Sequence, residues 1–180
     1  SLTSYSMPSA CTPFSRIGAD MLEELGVAAY KTGSGELTNL PLIEHIGRKG
    51  KPMIVSTGMC TIEEVGETVA LLRQLMTPFA LTHCVSAYPT PYDRVNLGMI
   101  ARYRELFSVP VGLSDHSRGI YTGIGAAALG ACLIEKHFTL DRQQPGPDHP
   151  VSIEPDELSE LVKGVDAVFR GRGAERKIFP

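Results

Sequence analysis

Five short apolar runs punctuate the chain, beginning near Val27, Pro52, Phe79, Val109 and Ala131. Each is apolar throughout rather than alternating, the pattern of strands covered on both faces. Each ends in small or polar residues: Lys31-Thr-Gly-Ser-Gly-Glu36, Ser56-Thr-Gly58, Thr82-His-Cys84, Ser114-Asp-His116 and Glu135-Lys-His137. Between the runs the spacing becomes helical. Ile17, Met21, Leu22 and Leu25 share one helical face, and Gly26 stops that helix. Asn39 and Pro41 open a second helix to about Arg48. Thr61 with Glu64 forms a capping box for a third, to about Met76. A fourth is predicted from about Leu97 to Phe107, and a tightly packed Gly/Ala-rich fifth between Ser117 and Gly130. The last begins at Pro155 and runs to about Phe169; Ser9 to Phe14 reads as the tail of an earlier strand entering a loop.

Strand, helix and strand at near-regular intervals make a βα repeat, with parallel strands and right-handed crossovers. Two architectures carry such a repeat, an open doubly wound sheet and a (β/α)8 barrel. The barrel is favoured, because every strand end is polar rather than those at a single switch point. A complete barrel takes about 250 residues. These 180 residues supply five strands and a sixth at the start. The expectation is therefore an α/β single domain over 1–180, a TIM barrel present as five to six βα units.

Composition narrows the function. The hydrophobic fraction is 43% and the charged fraction 21%, ordinary for a globular domain. A net charge of −3 with no basic stripe argues against nucleic acid as a partner. No apolar run approaches the ~20 residues a membrane helix needs. Cys11, Cys60, Cys84 and Cys132 are scattered without a CxxC spacing. That fits reduced thiols and a cytoplasmic setting better than a disulfide frame or a zinc knuckle.

In parallel sheets of this kind the chemistry gathers at the carboxyl ends of the strands. His116 and His137 follow two successive runs, so they are expected to face one pocket. Two neutral imidazoles at one point suit a divalent metal with open coordination positions. The plainer reading is two hydrogen-bonded core histidines, and both remain open at this point. Lys31, Ser34, Ser56, Thr57 and Ser114, with their neighbouring glycines, suit a phosphate or carboxylate; singly, each loop is equally a turn. His83 reads as a core or supporting histidine, while His45 and His149 have no evident partner. Glu36, Asp115, Glu135 and Asp148 are candidate acid/base or substrate groups. Asp148 stands in the stiff Pro145-Gly-Pro-Asp148 loop, where a lid over substrate hydroxyls would lie. Tyr88 and Tyr92 either line the pocket mouth or pack their own Pro-rich loop.

Taken in order, Lys31-Thr-Gly-Ser-Gly-Glu36, Ser56-Thr-Gly-Met59, His83-Cys84, Tyr88-Pro-Thr-Pro-Tyr92, Gly112-Leu-Ser-Asp-His116, Glu135-Lys-His-Phe138 and Pro145-Gly-Pro-Asp148 resemble the sialic acid synthase family. That family includes N-acetylneuraminate synthase, its legionaminic and pseudaminic acid relatives, and the spore coat polysaccharide biosynthesis protein E group. The resemblance covers nearly the whole chain. It implies a transferase on a (β/α)8 barrel that condenses phosphoenolpyruvate with an N-acetylated amino sugar such as N-acetylmannosamine. The product is a nine-carbon 2-keto acid, and phosphate is released. It also implies a divalent ion, manganese or magnesium, held by His116 and His137. Thr12, Lys31, Ser34, Ser56 and Ser114 would hold phosphoenolpyruvate, Tyr88 and Asp148 would contact the sugar, and Glu36 would lie near the reacting enol. Ser86 stands where the family commonly has asparagine. The resemblance further implies a homodimer. Counterparts of the family's first two strands and of its C-terminal antifreeze-like domain are not expected within these residues. Two other readings stand beside it: a partial barrel without activity that needs a partner or further segments, and a metal-dependent aldolase or hydrolase on a similar barrel.

Overall fold

The computed structural model describes residues 9–173. Six strands and six α-helices alternate along them. In chain order these are β1 (Ala10–Cys11), α1 (Arg16–Glu24), β2 (Ala29–Thr32), α2 (Leu40–Gly47), β3 (Met53–Ser56), α3 (Ile62–Gln74) and β4 (Phe79–Cys84). There follow α4 (Met99–Phe107), β5 (Val111–Asp115), α5 (Tyr121–Ala128), β6 (Ile134–Lys136) and α6 (Pro155–Arg172). The strand order is β1-β2-β3-β4-β5-β6. A doubly wound sheet reverses its order at a switch point, and this one does not. The fold is thus the expected α/β one, a partial (β/α)8 barrel of six strands.

The chain divides into two compact units. The first holds residues 9–82 and 107–110. Its pairs β1–β2, β2–β3 and β3–β4 are parallel, with Lys31 opposite Ile54 and Ser56 opposite Thr82. Its core is Tyr30, Leu37, Ile43, Ile46, Met53, Val55, Val65, Leu72 and Leu81, all essentially inaccessible. The helix starts follow the expected capping chemistry only in part: Asn39 stands at the head of α2 but its side chain makes no cap bond and turns to Glu36 instead. The Ser15 hydroxyl accepts the Gly18 amide at 3.0 Å. Thr61 and Glu64 satisfy each other's backbone at the head of α3.

The second unit holds residues 83–106 and 111–173. Here β5 and β6 are parallel, with Leu113, Ser114 and Asp115 opposite Ile134, Glu135 and Lys136. Ile100, Leu113, Ala126 and Ile153 form its core. The Gly/Ala-rich helix α5 packs closely, as its composition predicts. A Cβ on Gly123 would stand 2.9 Å from Leu161 Cδ1 of α6. One on Gly112 of β5 would meet the Leu133 carbonyl at 2.5 Å.

The strands differ from the sequence expectation in extent. β5 runs through Ser114 and Asp115, so those polar residues belong to the ladder rather than to a loop after it. β6 begins at Ile134 rather than near Ala131. Three 3-10 turns, Ser34–Glu36, Tyr92–Arg94 and His149–Val151, were not foreseen.

Candidate active site in two clusters

In the first unit, residues near the ends of β2 and β3 join Thr82 of β4 side by side. Lys31 Nζ donates to Ser56 Oγ at 3.0 Å, and Ser56 Oγ shares a hydrogen bond with Thr82 Oγ1 at 2.9 Å. The Thr57 hydroxyl and amide both donate to the Thr82 carbonyl, at 3.0 and 3.1 Å. Ser34 enters from the turn after β2, where its Oγ accepts the Gly58 amide at 3.0 Å. A half-buried ammonium and hydroxyls on adjoining strands are donors of the kind that suit an anion. Thr12 is half-buried just past β1. Glu36 is half-buried in the turn and accepts from Asn39 Nδ2 at 2.8 Å.

In the second unit, His116 and His137 do converge. Their ring centroids lie 5.2 Å apart. The Tyr88 ring sits 4.1 Å from that of His116 and 5.7 Å from that of His137. Asp148 Oδ2 stands 3.7 Å from His137 Nδ1. His116 is turned by its rear nitrogen: Nδ1 donates to the Val85 carbonyl at 2.8 Å, with Cys84 Sγ 3.7 Å away. That bond fixes the tautomer and leaves Nε2 with a lone pair, the usual arrangement of a metal-binding imidazole. Tyr88 thus belongs to the imidazole cluster. Ser114 is buried at the end of β5, and Ser86 is half-buried before the Tyr-Pro loop.

The electrostatics divide the two rings. For His116, burial works against the charged form, but hydrogen bonding to Cys84 and Val85 and the Glu135 charge outweigh it and raise its pKa. For His137, burial and then repulsion from His116 push the pKa below the ordinary imidazole value. Burial, followed by the Cys84, Asp148 and Glu135 charges, raises that of Tyr88, so its phenol stays protonated. Among the described residues no three His, Cys, Asp or Glu side chains converge into a complete metal site. The pair fits a divalent ion as two donors, with the remaining positions open to substrate and water.

Behind the imidazoles lies a feature the sequence reading missed. Asp115, a candidate acid or base by sequence, is held by structure. Lys136 Nζ meets its Oδ2 at 2.9 Å, with the two side chains 4% and 1% exposed. Thr122 Oγ1 donates to the same oxygen at 2.6 Å, and the Ser117 amide donates to Oδ1 at 2.8 Å. The remaining histidines are structural. His83 Nε2 donates to the Val95 carbonyl at 2.7 Å. His45 and His149 have partners after all, Asp20 at 2.8 Å and Thr139 at 2.7 Å.

A parallel βα fold with donor-rich clusters at its strand ends defines an α/β protein of the barrel class with enzyme-like clusters. Within that class the chain belongs to the NeuB family, whose model matches residues 3–177. It is 43% identical over 168 residues to the N,N'-diacetyllegionaminic acid synthase of Campylobacter jejuni, covering 90% of this chain and 49% of that protein. Against the N-acetylneuraminate-9-phosphate synthase of Homo sapiens it is 40% identical over 162 residues, 89% of this chain and 45% of the other. The chain spans about half the length of the curated relatives it matches. Among solved structures, it superposes on the N-acetylneuraminic acid (sialic acid) synthetase of Leptospira borgpetersenii in complex with citrate with a TM-score of 0.89. The identity is 37%, covering 94% of this chain and 59% of that one.

Proposed function

We propose that the protein condenses phosphoenolpyruvate with an N-acetylated amino sugar to a sialic-acid-type nine-carbon 2-keto acid, with release of phosphate. The observation that carries this reading is the His116–His137 pair, flanked by Tyr88 and Asp148, in a chain of the NeuB family. Sialic acid, legionaminic acid and pseudaminic acid synthases all stand among its relatives.

Lys31, Ser34 and Ser56, with Thr12, offer donors to the phosphate and carboxylate of phosphoenolpyruvate; the resemblance in sequence gives Ser86 and Ser114 the same role. An ammonium and several hydroxyls offer fixed donors to both anionic groups, so binding needs little rearrangement. Tyr88 and Asp148 bind sugar hydroxyls. Glu36 holds or moves the proton of a water near the enol carbon. His116 and His137 hold a manganese or magnesium ion, which when bound supplies a Lewis acid for the sugar aldehyde. The four cysteines are free thiols, which supports a reducing, cytoplasmic setting. Among the described residues no helix is long and apolar enough to cross a membrane. The working form is a homodimer.

Phosphate release should be measured with phosphoenolpyruvate and either N-acetylmannosamine or the diacetylated sugars of the legionaminic and pseudaminic type, with manganese or magnesium added. One sugar is expected to yield phosphate and a 2-keto acid in equal amounts. His116→Ala and His137→Ala should each abolish manganese binding by calorimetry. Unchanged manganese affinity in both variants would remove the metal assignment.

A further inference from the structure

The Asp115–Lys136 ion pair sits one residue ahead of each imidazole. Asp115 and Lys136 are opposite each other in the β5–β6 ladder, and His116 and His137 are the residues that follow. Thr122, which also bonds Asp115, belongs to α5, so the pair occupies the helix side of the sheet. Side chains alternate along a strand, which places Ser114 and Glu135 on the opposite side.

The pair grips the chain on the far side of His116 as well. Asp115 Oδ1 accepts the Ser117 amide at 2.8 Å, and Lys136 Nζ donates to the Ser117 carbonyl. Ser117 Oγ is in turn bonded to Thr122 Oγ1 at 2.6 Å. The backbone on either side of the imidazole is therefore fastened to the same two charges. Both charges are almost wholly out of water, where an ion pair rarely stabilises more than well-packed apolar residues would. Such a pair is better suited to setting geometry than to adding stability.

We infer that the buried Asp115–Lys136 pair is a positioning device that fixes where the His116 and His137 rings stand, and thereby sets their affinity for a divalent ion. The affinity part of this inference rests on the proposed function; the positioning part does not. Groups that orient metal-binding histidines typically change affinity about 10–100-fold when removed.

The test compares the whole chain with Asp115→Asn, Lys136→Met and the double variant. Three quantities are read for each: urea stability, manganese affinity by calorimetry, and, without metal, the nuclear Overhauser contacts among the rings of Tyr88, His116 and His137. The expected result is a loss of about 10–100-fold in manganese affinity in both single variants, with weakened ring contacts. In the double variant, stability returns towards that of the parent while affinity and ring contacts do not. Stability that falls while affinity and ring contacts hold would overturn the inference. Should a single variant fail to fold, the double variant and Thr122→Val decide it by the same readouts. Thr122→Val retains both charges but removes one bond to Asp115. A parent chain that binds no manganese would defeat the functional reading alone, because the ring contacts still decide the positioning.

Discussion

One hydrogen bond settles the protonation of His83. Its Nε2 proton goes to the Val95 carbonyl, so Nδ1 carries the lone pair. Nδ1 is buried and meets no hydrogen-bonding group. A second proton there would be a charged donor without an acceptor, and burial accordingly lowers the pKa despite the Val95 bond. In the unfolded chain the same ring titrates near 6.5. The folded value lies below this, so the contribution is full above about pH 6.5 and is lost as the pH falls towards the folded value. His83→Gln retains a donor for Val95 but cannot titrate, and should flatten that part of the stability–pH curve below about pH 6.5, as read by urea unfolding at several pH values. At the anion cluster, Lys31→Met removes the ammonium that Ser56 accepts from. On the proposed function, losing a charge-assisted bond of about 1.5–3 kcal/mol should weaken phosphoenolpyruvate binding roughly 10–100-fold by calorimetry. Lys31, Ser56 and the imidazoles were legible because each follows an apolar run. The Asp115–Lys136 pair was not, because it depends on which rung of β5 faces which rung of β6. His45 with Asp20 was hidden for a related reason: the contact joins two different helices.

At the scale of elements, helices were read more closely than strands. Start residues sit at fixed offsets, as Thr61 with Glu64 and Pro155 show. A parallel strand has no such stop signal, and its ladder continues for as long as the neighbouring strand allows. β5 therefore absorbs Ser114 and Asp115, although both look like loop residues in sequence. The 3-10 turn Ser34–Glu36 likewise follows from closing the segment after β2, and brings Ser34 to the Gly58 amide. Thr61→Ala should cost about 1 kcal/mol, because α3 loses a hydroxyl that accepts the Glu64 amide. Gly112→Ala should cost about 1–3 kcal/mol or more, because the new methyl meets the rigid Leu133 backbone. Urea midpoints of the two variants measure both.

For the molecule as a whole, the βα repeat was the strongest signal, since hydrophobic runs recur at the interval a crossover helix requires. The barrel rather than the doubly wound sheet is what the structure shows, because the strand order does not reverse; the polar strand ends in the sequence pointed the same way. Ile17, Met21 and Leu25, which share one face of α1, are 74%, 59% and 77% exposed. Helical spacing says that three apolar residues share a side, but not that anything covers it. Replacing all three with lysine should raise the concentration at which the chain stays monodisperse in light scattering. Its urea midpoint should change little, since exposed positions seldom matter to stability.

The unreversed strand order has a consequence for how the molecule is made. β2 pairs with the β1 that left the ribosome before it, β3 with β2, β4 with β3, and β6 with β5. In these pairs no strand waits for a partner encoded far downstream, and loop-closure entropy is met in small instalments. Synthesis can lay the sheet down in register as it proceeds, like a zip closing from one end.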